Sequence, residues 1–237
     1  MKKLMLLSLI ALSASGVSAA DFFSTDKPAE FLTLGARIGV NTTNRTLDGN
    51  ALPDCYHREN WGTGFDIGVV AGLNIRDYLT IQPGFFFESR SGNYTLLGSR
   101  AGSGLEDDGS EIAQVGKRNS YNFTIPVMAI VNFNIADEVV CSAEAGPYVA
   151  FVINSKLDRT HYVFDGPSNM PLFDQKAATV DFGFKLGVST TVMKHYYCGV
   201  HYLAGCVPAW KNFSYAGWTK NFGGVTKGWV FSLGYNF

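Results

Sequence analysis

Large apolar residues fall at every second position in one segment after another of this chain, and that period selects strands over helices. The clearest case is ATVDFGFKLGVSTTV, residues 178–192. Val180, Phe182, Phe184, Leu186 and Val188 share one face, and Asp181, Gly183, Lys185, Gly187 and Ser189 the other. The chain closes on the same pattern, GWVFSLGYNF, with Trp229, Phe231, Leu233, Tyr235 and Phe237 alternating with small or polar residues. Chain ends usually fray, so an ordered aromatic alternation at the last residue implies a closing strand.

Eight such segments can be read. The first five start near Phe31, Gly62, Tyr78, Tyr121 and Val139, and the last three near Ala178, Tyr197 and Gly228. The connections after the second, fourth and sixth are short. Those after the first, third, fifth and seventh are long and polar, at about 42–60, 91–119, 154–176 and 211–227. Loops of that length count against a compact soluble domain. They suit a transmembrane barrel, with short periplasmic turns and longer extracellular loops, and an even strand number places both termini in the periplasm.

A β-sandwich also alternates, with its polar face turned to water. The polar face argues against it. It is rich in glycine, which weakens a solvent-facing strand. It also carries Arg37, Asp66, Glu88, Arg90, Glu144, Asp181, Lys185 and His201 near mid-segment. Three cations against four acids is a near-balance suited to a narrow polar interior, where an unpaired charge is costly. The expected fold is therefore an all-β, eight-stranded antiparallel up-and-down barrel with a plugged polar lumen, its apolar face toward lipid.

The first residues agree. MKKLMLLSLIALSASGVSAA has a basic start, an apolar run and small residues, the pattern of a secretory signal peptide over residues 1–20. Residues 21–30 read as a short periplasmic lead-in, and 31–237 as the barrel. The longest later apolar run, IPVMAIV, is too short for a transmembrane helix. Losing Lys2 and Lys3 takes the net charge from −1 to −3, which is no footprint for nucleic acid.

The hairpin GFDIGVVAGLNIRDYLTIQPGFFFESR, the strands YNFTIPVMAIVNFNI, CSAEAGPYVAFVI and DFGFKLGVSTTV, and the closing FSLGYNF follow one another in an order that resembles the PorT-like outer-membrane β-barrel family of Bacteroidetes. That family usually has an arginine or lysine before the seventh-strand tyrosine, where this chain has His201-Tyr202. The resemblance implies an outer-membrane location. One branch of the family supports protein secretion across that membrane, and most members have no assigned role. The terminal aromatics Tyr235 and Phe237 resemble the signal that outer-membrane assembly machinery recognises in its substrates.

Chemistry is sparse. Cys141, Cys198 and Cys206 fall on the lipid face and Cys55 in the first long connection, so no disulfide is expected. No metal-ligand spacing is present, and no cofactor is expected. His57 and His161 have acids nearby in sequence, but nothing matches a nucleophile with its oxyanion donors. The alternative to a structural or binding barrel is an enzyme modifying lipid or peptide at the rim. The expected partners are outer-membrane lipid, the assembly machinery and a protein met through the loops.

Overall fold

The computed structural model describes residues 24–45, 55–98, 112–136, 138–162, 178–209, 213–215, 218–220 and 224–237. The expected signal peptide lies outside them. The described elements are all strands: β1 (Leu32–Arg45), β2 (Cys55–Arg76), β3 (Leu79–Gly98), β4 (Ile112–Ala136), β5 (Val139–Tyr162), β6 (Val180–Val192), β7 (Tyr196–Gly205), β8 (Phe213–Tyr215), β9 (Trp218–Lys220) and β10 (Thr226–Asn236). Eight close into an antiparallel barrel in the order β1-β10-β7-β6-β5-β4-β3-β2, and β8 and β9 pair separately as a small hairpin. Closure runs from Gly35 opposite Asn236 to Arg45 opposite Thr226. The amide of Phe237 extends it by donating to the Leu34 carbonyl at 2.8 Å. The final alternating stretch is thus the seam of the barrel, and no edge is left for lipid to meet.

Alternation sorts the two faces as the pleat requires. Ile38, Val188 and Leu233 are about 60% exposed on the outside, while Arg37, Asp66, Glu88 and Asp181 are buried within. Aromatic rings interlock across strands on the outer face. Phe87 stacks on Tyr121, Tyr202 meets Trp229 edge-on, and Tyr235 stacks on His195. The lumen is less polar than expected: Val70, Phe86, Met128, Ile130, Leu203 and Val230 are buried in it. An eight-stranded barrel is just wide enough for side chains to fill, so packing selects on volume as well as polarity.

The short turns and the described chain ends gather at one end. In the β6–β7 turn, Met193 and Lys194 have φ of 52° and 64°, and the His195 amide donates to the Val192 carbonyl at 3.1 Å. Two successive positive φ values match a type I′ hairpin, which normally selects Asn-Gly. Neighbouring chain holds this turn. The Met193 amide donates to the Glu138 carbonyl, the Asn236 amide to that of His195, and the His195 ring Nδ1 to that of Asn236.

At the other end the expected connections are shorter than read from sequence. β1 continues to Arg45 and β2 already starts at Cys55, while β3 runs to Gly98, β4 begins at Ile112 and β5 reaches Tyr162. β8 and β9 stand within the last connection. The apolar alternation stops where the outer face leaves lipid, but the backbone ladder continues. The result is lopsided. β2 to β5 have 22, 20, 25 and 24 residues, against 14, 13, 10 and 11 for β1, β6, β7 and β10. At ~3.4 Å per residue, the described strands of one half form a wall rising well past those of the other half.

Register also places the cysteines. Cys141 and Cys198 both face Thr190, one from each side, so β6 separates them. Strands two apart lie ~10 Å apart, beyond the ~7 Å that a disulfide spans. Mass analysis of peptides from the non-reduced protein is expected to show no Cys141–Cys198 link; finding one would contradict this register.

Candidate functional site

The buried polar residues of the lumen form two groups. In the first, Arg90 on β3 holds Glu88 two residues before it on the same face, with its Nη2 and Nε at 2.7 and 2.9 Å from Glu88 Oε2. Its Nη1 reaches Asp181 Oδ2 on β6 at 2.7 Å. Tyr148 of β5 donates its hydroxyl to the same Asp181 oxygen at 3.2 Å, and its ring lies 5.5 Å from the guanidinium carbon. The planar, multi-donor Arg90 fork serves two carboxylates at once.

The second group centres on Glu144 of β5. His201 on β7 meets its Oε2 at 2.7 Å, and the Tyr197 hydroxyl donates to Oε1 at 3.0 Å. Ser189 on β6 donates to Oε1 as well. Arg37 lies over the Tyr197 ring at 3.9 Å and donates to Asn236 Oδ1 at 2.8 Å. Serine, histidine and carboxylate meet here, but both the serine and the imidazole bond to the carboxylate. The serine therefore has no imidazole base, and the arrangement holds structure without activating a nucleophile.

The eight charged residues expected in the lumen are all buried there, but they do not form one network. Asp66 stands opposite Glu88 across β2 and β3, and neither of its carboxylate oxygens has a hydrogen-bond partner among the described residues. Lys185 lies 5.3 Å over the Phe86 ring. Sequence reading missed Arg45 and Arg118, both buried, because it placed them in connections. Arg45 donates to Ser120 across the lumen at 2.6 Å. It also missed Tyr148, Tyr197 and Ser189 as partners; only the register that brings their strands together could reveal them.

Two spaces in the lumen are lined by described residues. A cavity of about 20 Å³ lies at mid-height, with Arg37, Gln82, Glu144, Lys185, Tyr197 and Ser232 among its walls. A wider vestibule of about 180 Å³ shares Arg37, Gln82, Glu144 and Tyr197 with it, and reaches Lys194 and Asn236 at the short-turn end. Among the described residues no group of three or more metal-ligating side chains comes together. His195 lies in the β6–β7 turn; His57 and His161 belong to β2 and β5, and their side chains lie outside the described ones.

Among solved structures the chain is similar to OprG of Pseudomonas aeruginosa, at 14% identity and a TM-score of 0.44, covering 91% of this chain and 99% of that one. It is similar also to Ail, the attachment invasion locus protein of Yersinia pestis, solved in complex with the heparin analogue sucrose octasulfate. There the identity is 13% and the TM-score 0.39, over 88% of this chain and 100% of that one. No curated protein matches the chain. The family described as outer membrane protein beta-barrel domain matches residues 21–206. That match spans most of the chain, and the closed eight-stranded barrel agrees with it: the protein belongs to the outer membrane protein beta-barrel domain family.

Proposed function

We propose that this protein is an outer-membrane barrel whose lumen passes no solutes and whose role is binding, exercised at the end where β2 to β5 rise. One observation carries the reading: Arg90, Glu88, Asp181 and Tyr148 link β3, β5 and β6 across the lumen, all of them buried. A plug built of interlocked ionic side chains leaves no aqueous path. In planar bilayers the purified protein is expected to give no stable single-channel conductance, and a steady channel would overturn this reading.

In this proposal the signal peptide is removed and both termini lie in the periplasm, so the tall wall faces outward. The binding role needs no catalytic group, cofactor or metal. PorT-like membership, with assistance to protein secretion, is the more specific version. Crosslinking in native cells from residues of the wall, followed by identification of the captured protein, tests it. Recovery of a secretion component supports that version, and recovery of unrelated surface partners refutes it.

Tyr235 and Phe237 are proposed to mark the chain for the assembly machinery. Locally, Phe237 contributes one backbone hydrogen bond to β1 and a ring contact with Tyr235 at 5.5 Å. Deleting it is expected to cost about 1 kcal/mol when the protein is refolded in detergent, yet to lower the amount assembled in cells several-fold. Equal assembly in cells would remove the signalling role.

A further inference from the structure

We propose that the lumen holds a small monovalent anion of chloride size, bound between Lys185 and Arg37 and reached from the short-turn end. Lys185 is only 9% exposed. Among the described residues its ammonium has no hydrogen bond or carboxylate partner, only the Phe86 ring. Arg37, 5% exposed, donates solely to neutral acceptors, the carbonyls of Ala36 and Tyr235 and the Asn236 side chain. Both cations line the same mid-height cavity.

The one acid on that cavity wall is Glu144, and its two oxygens already accept from His201, Ser189 and Tyr197. Asp66 and Glu88 are not among the lining residues. On the cavity wall two buried cations thus face one carboxylate that is already engaged; Asp66 attracts Lys185 from beyond that wall without a hydrogen bond, and a buried charge left without hydrogen bonds is costly. Gln82 and Ser232 also line the space, and their side chains make no hydrogen bond among the described residues. An amide N–H and a hydroxyl would complete a four-donor anion site.

Size selects the occupant. About 20 Å³ admits one particle near the size of water, which excludes phosphate, sulfate and carboxylates. The route is the vestibule, whose shared walls lead from Lys194 to the cavity. The inference does not depend on the binding role proposed above, since it concerns the other half of the lumen.

The test uses the full mature chain in a neutral detergent. Crystals soaked in bromide are expected to show an anomalous peak between Lys185 Nζ and the Arg37 guanidinium. In solution, the unfolding midpoint should be higher in chloride or bromide than in gluconate, a larger anion, at equal ionic strength. That difference should vanish in Lys185→Met, or in Gln82→Leu if the first variant fails to fold. A peak without any solution difference would mean binding at crystal concentration only and would overturn the proposal. So would a site that refines as water, or a halide effect unchanged in a folded variant.

Discussion

Gly64→Ala is expected to destroy most of the folded barrel, while Gly72→Ala, on the same strand and the same face, leaves it intact. The difference lies in what a methyl group would meet. At Gly72 the nearest atom is the Thr80 Cγ2 at 3.3 Å, the end of a side chain that can yield. At Gly64 the methyl would run into the backbone carbonyl of Ser89. The register explains why the strands come so close there. Between the pairs Trp61–Gly92 and Phe65–Ser89, β2 carries one residue more than β3, the signature of a β-bulge. Carbonyls of β3 in and beside the bulge are taken up from β1, two strands away. Asn41 Nδ2 donates to Ser89 O and Thr43 Oγ1 to Ser91 O, each at 3.0 Å. Those side chains pass over β2 only because Gly62 and Gly64 have none. Overpacking in a closed core costs ~1–3 kcal/mol, and a rigid carbonyl puts Gly64→Ala at or above the upper end. Heat-modifiable migration on a denaturing gel reads the outcome: the compact unheated band should be largely lost for Gly64→Ala and unchanged for Gly72→Ala. Equal bands would show that the bulge relaxes and that the β1 bridges do not hold it.

The bulge marks where sequence reading ran out. Alternation at Ile38, Phe182 or Leu233 is legible because lipid on one side and lumen on the other impose opposite demands on adjacent residues. It placed all eight barrel strands and put Arg37, Asp66, Glu88 and Lys185 on the inner face. Beyond Trp61, Arg90 and Ser120 the outer face leaves lipid and the constraint ends, so strand and loop look alike in sequence. Arg45 and Arg118 were lost for that reason. Within the lumen, the face of each residue could be read but not its partner. Which acid Arg90 grips depends on the stagger of β3 against β6, a product of barrel closure and not of any local pattern. The same holds for Glu144, whose donors come from β6 and β7.

Arg90→Met is the substitution expected to cost most among the charged residues. It would strand Glu88, buried opposite Asp66, and Asp181 without the cation that hydrogen-bonds both. Removing one partner of a buried ion pair costs ~3–5 kcal/mol, because the remaining charge loses its compensation without regaining water. Here one cation compensates two acids, so the loss should lie at the upper end of that range. Replacing Glu88 alone with leucine should cost less, since Arg90 keeps Asp181 at 2.7 Å and its contact with Tyr148. The informative variant is the triple change of Arg90, Glu88 and Asp181 to apolar residues. If the cluster serves mainly to place the strands, filling its volume with apolar side chains should recover much of the stability lost in Arg90→Met, because such replacements are often neutral or stabilising. If the ions themselves hold the barrel shut, the triple variant should remain as weak as the single one. Urea unfolding in detergent separates the two cases, and Arg90→Met unfolding within ~1 kcal/mol of the wild type would rule out both. Conductance of the triple variant then tests the plug apart from its charge, because side chains of equal volume should still leave no path through the lumen.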